Sequence, residues 1–159
     1  MIDLSLLFNW LFQTGVAFLA TITFAIIFHT PRREWLFCGI TGGLGWLVYL
    51  ICMSANMGAV ASSFFATLAL AWISRIFAFC RKTPVTVFLI SGIFPLVPGA
   101  GIYYTGYNVF MSDNAQALAK GMETIKIAVA IALGIGIVLS LPAFFFTLHR
   151  SGGKSGKQS

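Results

Sequence analysis

Charged residues are scarce in this sequence. Only 9% of its 159 residues are Asp, Glu, Lys or Arg, and Asp and Glu together number four. A soluble globular domain carries about 25% charged residues. With 58% hydrophobic residues and so little charge, the chain is predicted to be neither a soluble globular enzyme nor a disordered protein, apart from its tail.

Catalytic and metal-binding patterns are missing as well. The sequence has no nucleophile elbow and no metal-site motif. Its three cysteines, Cys38, Cys52 and Cys80, lack a Cys-x-x-Cys neighbour or a histidine at ligand spacing. We therefore expect no enzymatic activity, no metal and no cofactor. The net charge of +6 is spread singly and in pairs between apolar stretches, so nucleic acid is not an expected partner.

Long apolar stretches dominate what is present. A bilayer is crossed by about 20 apolar residues in a helix. The pattern predicts an all-α polytopic membrane protein of about five transmembrane helices over residues 1–150, with a disordered basic tail at 151–159. The five stretches are Leu4–Phe28, Trp35–Met53, Ala59–Cys80, Val85–Met111 and Ile125–Leu148.

The basic residues predict an orientation. They concentrate in the first loop (Arg32, Arg33), in the third connection (Arg81, Lys82) and in the tail. Lys and Arg are enriched on the cytoplasmic side of membrane proteins. The N-terminus is therefore expected outside and the C-terminus in the cytoplasm.

The loops on the opposite side carry few basic residues. In the longer one, around Asp113–Glu123, Lys120 is the only Lys or Arg. On this interpretation all four acidic residues lie in loops or at helix ends, so the acid of any proton coupling is expected from a partner. Glu123 and Lys126, three residues apart, are expected to form a surface pair.

Small residues recur at helical spacing in three stretches. Such residues let membrane helices approach closely, which serves either packing inside one bundle or contact with a second subunit. Three such faces on one short chain favour an assembly. They comprise Gly39 and Gly43 in the second stretch, Ser63, Thr67 and Ala71 in the third, and Ala128, Ala132, Gly136 and Ser140 in the fifth.

The fourth stretch is interrupted in its middle. Pro95 and Pro98 cannot donate to the carbonyls of Ser91 and Phe94, so the helix is predicted to be discontinuous over Pro95–Gly99. Unpaired backbone at membrane depth is tolerated where it is buried or lines a wet cavity. The break is therefore either a solute site, as in many transporters, or a kink used for packing.

The break offers groups of both signs. Free N–H groups at the start of the second half suit a carboxylate, and the freed carbonyls suit an ammonium group. Tyr103 either joins this site or belongs to an interfacial aromatic belt. The candidate substrate-binding residues are Ser91, Phe94, Pro95, Pro98, Gly99, Ala100, Gly101 and Tyr103.

Two further residues are candidates for contact with a partner or a substrate. Arg75 is the one charge inside an apolar run, and it either meets an acid or extends its charge to the cytoplasmic surface. His29 lies at the predicted cytoplasmic end of the first helix, where an interfacial polar role is the alternative.

Several of these segments together resemble the threonine/serine exporter (ThrE) family. More narrowly, the chain resembles the small (YjjB-like) subunit that corresponds to the C-terminal half of that family. Two positions differ from the family pattern, since His29 stands where Asn is common and Ser91 where Pro is frequent. The segments that carry the resemblance are Phe24–Arg33, Gly42–Trp46, Lys82–Leu89 and Pro95–Gly99.

The resemblance implies a function and a partner. It implies export of a small carboxylate-bearing metabolite, either threonine and serine or a succinate-like dicarboxylate, across a bacterial cytoplasmic (inner) membrane. It also implies a separately encoded membrane subunit resembling the family's N-terminal half. An odd number of spans reverses the orientation of a chain from its start to its end. Five similar spans placed before this chain would therefore lie inverted relative to it, which is the inverted-repeat arrangement of many transporters. The alternative function is an accessory membrane protein that assembles another complex without a substrate site of its own.

Overall fold

The described part of the chain is built from helices joined by short connections. A computed structural model describes residues 4–141, with side chains from residue 7 onward, and that part contains no strand. The helices are α1 (Leu4–Ile27), α2 (Trp35–Ser54), α3 (Gly58–Arg81), α4 (Val85–Ile93), α5 (Gly99–Phe110) and α6 (Asn114–Ser140).

Four of these helices are long and apolar enough to cross a membrane. They are α1, α2, α3 and α6, while α4 and α5 form one further pair bent by 47° at a short break. The chain therefore has four candidate spans, or five if the bent pair counts as one. This confirms the predicted all-α polytopic architecture with a discontinuous fourth element.

Four helices end in the same way. A residue with positive φ follows α1, α2, α3 and α5, and these residues are His29, Asn56, Lys82 and Ser112. The next N–H then donates to a carbonyl five residues back, as in Thr30 to Ala25 over 3.0 Å, which is the usual way to close a helix end. Histidine, like asparagine, tolerates this conformation better than most residues. That tolerance explains how His29 fits at this helix end.

Glycines of α2 let its neighbours approach closely. A Cβ on Gly39 would lie 2.7 Å from Phe18 Cε2 of α1, and one on Gly45 would lie 2.9 Å from Leu70 Cδ1 of α3. Gly134 of α6 in turn meets Thr67 of α3, with a 3.1 Å distance to its Cβ. The small-residue faces of α2 and α3 are thus used inside the chain. The face of α6 formed by Ala128, Ala132, Gly136 and Ser140 is exposed.

The two halves of the interrupted helix pack against different partners. α4 contacts α2 and α3, whereas α5 packs against α6. The α5–α6 contact is close because a Cβ on Gly101 would overlap the Thr124 hydroxyl, and one on Gly121 would lie 3.3 Å from Thr105 Cγ2. The bend therefore places α5 beside the first turns of α6.

The predicted loop over Asp113–Glu123 and the predicted start of the fifth helix at Ile125 are wrong. α6 begins at Asn114, and the Asp113 carboxylate accepts a 3.1 Å hydrogen bond from the Gln116 N–H at its first turn. This cap pairs a donor that would otherwise be free, so it stabilises a helix start at that position. The predicted continuation to Leu148 and the tail at 151–159 lie outside the described residues.

The end of the bundle with the basic loops contains a partly buried ion pair. The Arg81 guanidinium donates to both oxygens of Glu34, with Nη2–Oε1 at 2.9 Å and Nε–Oε2 at 3.0 Å. The same guanidinium lies 4.6 Å from the centroid of the Phe37 ring. Glu34 is buried, so this pair ties the start of α2 to the end of α3.

Candidate functional site

The break between α4 and α5 is a defined backbone structure. Phe94–Leu96 forms one turn of 3-10 helix, and Val97 is extended. Pro98 then has φ −77° and ψ 58°, and the Gly99 N–H donates to the Val97 carbonyl at 2.7 Å. These values describe an inverse γ-turn, after which α5 starts at Gly99. The predicted interruption over Pro95–Gly99 is confirmed.

Fewer backbone groups are free at the break than the sequence predicted. The γ-turn occupies the Gly99 N–H, and the Phe94 carbonyl accepts a 3.2 Å hydrogen bond from the Val97 N–H. The predicted free donor at Gly99 and free acceptor at Phe94 are therefore wrong. Among the described residues, the N–H groups of Ala100 and Gly101 have no backbone partner, as expected in the first turn of a helix.

A cavity of about 380 Å³ lies at this break. Its wall combines the break and the start of α5 with parts of three other helices, α2, α3 and α6. The lining residues are Trp46, Tyr49, Ser63, Pro95, Leu96, Val97, Pro98, Gly99, Ala100, Gly101, Tyr104, Lys120, Glu123, Thr124 and Ile127.

One acid and one base line this cavity. Lys120 Nζ and Glu123 Oε2 of α6 are 3.1 Å apart, with side chains 51% and 48% exposed. Glu123 therefore pairs with Lys120, and the expected pair with Lys126 is wrong. Because the two charges cancel, the cavity wall is neutral overall while still holding a positive and a negative group.

The position of Glu123 differs from the expectation that all four acidic residues lie in loops or at helix ends. It lies nine residues into α6, about 13 Å along the helix from Asn114, rather than in a loop or at a helix end. The chain itself therefore places one carboxylate at the cavity, while the expectation that a partner supplies the acid of any proton coupling stays a prediction.

Hydroxyl groups supply acceptors around the same space. Thr124 donates to the Lys120 carbonyl at 2.8 Å, and Ser63 donates to the Ala59 carbonyl at 2.8 Å. Since each hydroxyl proton is already used within its own helix, the lone pairs of these two oxygen atoms are the groups they can offer to the cavity, as hydrogen-bond acceptors. The Tyr104 side chain also lines the cavity and is 54% exposed.

The structure brings five of the eight predicted substrate-binding residues to the cavity. These are Pro95, Pro98, Gly99, Ala100 and Gly101.

The other three predicted residues do not line it. Ser91 is buried, and its hydroxyl donates back to the Val87 carbonyl at 3.1 Å. Phe94 stacks on Phe24 of α1, with ring centroids 4.1 Å apart. Tyr103 is exposed and lies against Tyr104 and Tyr107.

Arg75 and His29 lie away from this cavity. The Arg75 guanidinium donates to the Val138 carbonyl near the end of α6, so it contacts a helix C-terminus within the chain. His29 is exposed at the turn after α1. Neither side chain lines the cavity at the break.

Sequence reasoning missed the contributions of α2 and α6. For Lys120, Glu123 and Thr124, a local signal existed, because Asp113 followed three residues later by Gln116 is typical of a helix start. That pattern places Lys120 and Thr124 four residues apart on one helix face. For Trp46 and Tyr49 no local pattern points to a cavity, since both read as ordinary apolar residues of a membrane helix.

No metal centre is formed in the described part of the chain. No three His, Cys, Asp or Glu side chains cluster there, and Cys38, Cys52 and Cys80 are free thiols.

Comparison with known proteins gives a family. A family profile described as "Threonine/Serine exporter, ThrE" matches residues 13–141. A protein of Mycobacterium tuberculosis named "Probable threonine/serine exporter" is 27% identical over 124 residues, which are 77% of this chain and 23% of that protein.

A second relative is a Haemophilus influenzae protein described as "Uncharacterized protein". It is 26% identical over 147 residues, which are 90% of this chain and 48% of that protein. The chain thus spans about a quarter and about half of the length of these two relatives. No solved structure matches the chain.

Proposed function

Because the chain belongs to the threonine/serine exporter family, we propose that it is the membrane subunit of a secondary exporter for a small carboxylate-bearing metabolite. The observation that carries this proposal is the cavity at the interrupted helix, where Lys120 and Glu123 share the wall with the start of α5. In this proposal the chain acts with a second membrane subunit resembling the family's N-terminal half. It lies in a bacterial cytoplasmic membrane with its N-terminus outside.

The charges of the cavity favour an amino acid over a dicarboxylate. A zwitterion places its carboxylate at Lys120 and at the free N–H groups of Ala100 and Gly101, and its ammonium group at Glu123. A dicarboxylate has no positive group for Glu123 and meets a like charge there. The neutral pair therefore supports threonine or serine as the solute.

The hydroxyl of threonine or serine also finds a partner. The acceptor lone pairs of Thr124 and Ser63 line the cavity while their protons are bonded within their own helices. A site that pairs a solute hydroxyl rejects an analogue lacking it, because the polar groups of the site are then left unpaired. Alanine is accordingly a poorer solute than threonine or serine.

Opening the Lys120–Glu123 pair costs little. Both side chains are about half exposed, and exposed ion pairs contribute about 0–1 kcal/mol. A zwitterion that replaces this one pair by two new ones therefore gains more electrostatic energy than is lost. This makes the pair suitable for reversible binding.

Efflux from proteoliposomes tests the proposal. The chain is reconstituted with and without the companion subunit, and labelled threonine and succinate are followed in separate vesicles. We expect Lys120→Gln and Glu123→Gln each to reduce threonine efflux about fivefold, the effect of losing roughly 1 kcal/mol of binding, which is the upper end for an exposed ion pair. Lys126→Gln is the matched control, because Lys126 is exposed on the same helix and does not line the cavity.

Other outcomes separate the alternatives. An unsubstituted complex that exports succinate but not threonine identifies a dicarboxylate exporter. A well-folded complex whose efflux is unaffected by either substitution identifies an accessory or assembly protein without its own substrate site.

A further inference from the structure

A second cavity lies directly behind the first. It has a volume of about 370 Å³ and is formed mainly by α1, through Phe12, Gln13, Val16, Ala17 and Ala20. Its remaining lining residues are Trp46 and Pro95, which also line the cavity at the break. These two residues are therefore shared by the walls of both cavities.

The cavities differ in chemistry. The first contains the Lys120–Glu123 pair and several hydroxyls, whereas Gln13 is the single amide among the otherwise apolar lining of the second. Gln13 Nε2 donates to Asn9 Oδ1 at 2.9 Å. A solute held by charges in the first cavity thus has a less polar space next to it, beyond a wall of two side chains.

Pro95 is the fixed half of this wall. It lies in the 3-10 turn at the break, and its ring is part of the backbone. The preceding residue, Phe94, stacks on Phe24 and also contacts Phe28, with ring centroids 4.1 and 5.4 Å apart. These contacts hold the turn against α1.

Trp46 is held by packing contacts, since it lies against the buried core that includes Leu70 and Leu96. Its ring stacks on Tyr49 of the same helix, with centroids 5.1 Å apart. Its Nε1 atom is shielded from solvent and has no hydrogen-bond partner among the described residues. Buried tryptophan N–H groups usually have a partner, so no such bond has to break when this indole rotates.

We propose that the Trp46 indole is the movable wall between the two cavities and determines the largest solute that passes from one to the other. Rotation of the indole joins both spaces into one path along the break, while Pro95 stays in place. The size limit for transported solutes rests on the proposed export function, but the separation of the cavities does not.

Thiol labelling tests the wall without measuring transport. In a background with Cys38, Cys52 and Cys80 replaced by alanine, Ala17→Cys reports on the second cavity and Tyr104→Cys on the first. A membrane-impermeant cationic methanethiosulfonate is applied in proteoliposomes, on the side from which Tyr104→Cys reacts. Thiol reactivity follows access, so Trp46→Ala is expected to raise the reaction rate at position 17 about tenfold.

Control variants distinguish opening of this wall from a general loosening of the helix packing. Trp72→Ala is the matched control, because Trp72 is a partly buried tryptophan that lines neither cavity. Trp46→Phe keeps an aromatic ring and provides a conservative variant should Trp46→Ala fail to fold, and it is expected to give an intermediate rate. Tyr104→Cys is expected to react equally in all variants.

Two results would overturn the proposal. One is an unchanged rate at position 17 in folded Trp46→Ala and Trp46→Phe. The other is an equal rise in Trp72→Ala. In efflux assays, Trp46→Ala should raise the export of leucine relative to threonine. If labelling responds as expected while even the unsubstituted complex exports nothing, the proposed role of Trp46 as a wall is supported and the proposed export function is contradicted.

Discussion

Glycines of α2 and a glycine of the interrupted helix differ in what surrounds them. A Cβ on Gly42 would overlap the Thr21 side chain of α1, and one on Gly39 would lie 2.7 Å from Phe18. A Cβ on Gly99, in contrast, would have no atom within 4 Å, and Gly99 lines the cavity. Glycine therefore allows close helix contact in one region and leaves open space beside the cavity in the other, although both regions are apolar in sequence.

The largest effect on efflux is expected from removing the break between α4 and α5. In the double variant Pro95→Ala/Pro98→Ala both positions regain an N–H donor, so α4 and α5 are expected to approach one continuous helix and efflux is expected to be lost. Spin labels at Ile90 and Tyr107, both exposed, measure the change. Their separation should approach about 25 Å, the rise of seventeen helical residues. A separation that reaches this value together with unchanged efflux would remove the break from the mechanism.

Gly42→Ala is expected to have the next largest effect. The new methyl group collides with Thr21, whose Cβ would lie 2.8 Å from it. Overpacking of this kind costs about 1–3 kcal/mol, so the free energy of unfolding in mild detergent should fall by roughly that amount. Thr21→Ala removes the hydroxyl that lies nearest and should restore part of the loss. A double variant no more stable than Gly42→Ala alone would contradict the packing role of this face.

Arg75→Met is expected to have a smaller effect. The substitution removes the hydrogen bond to the Val138 carbonyl, and bonds to charged groups contribute about 1.5–3 kcal/mol, with the low end appropriate for this partly buried side chain. Thermal unfolding measures the loss, while the ratio of threonine to succinate efflux should stay constant. A changed ratio with unchanged stability would instead make Arg75 a solute or partner contact.

The smallest effect is expected at Gly15. It lies in α1, and a Cβ added to it would have no atom within 4 Å. Unlike Gly99, it lines neither of the two cavities described above. Gly15→Ala should stabilise the helix by up to about 1 kcal/mol through helix propensity and leave efflux unchanged. It is the matched control for Gly42→Ala, and a destabilisation of similar size would show that the comparison of surroundings has no predictive value.

Most of the fold could be predicted from the sequence because its signals are local. Apolar runs of membrane length predict α1, α2 and α3 to within one residue at every end. The missing N–H groups of Pro95 and Pro98 predict the break. The apolar pattern predicts the start of α6 eleven residues too late, because the first turns of that helix carry charged residues and only the cap formed by Asp113 indicates the true start.

The candidate site could be predicted only in part. Its break residues follow from the prolines and glycines, but Lys120 and Glu123 reach the cavity only because α5 packs on α6 at Gly101 and Thr124. Trp46 enters from α2 through tertiary packing alone. The engagement of the Gly99 N–H was likewise hidden, because it depends on the γ-turn at Pro98 rather than on the presence of a helix end.

Gly99→Leu tests the central claim most directly. The side chain enters open space next to the break, so thermal stability should stay within about 1 kcal/mol of the unsubstituted protein while the cavity is filled. Threonine efflux by the reconstituted complex is predicted to fall at least about tenfold. A complex that folds equally well and exports threonine at an unchanged rate would contradict a solute site at the interrupted helix.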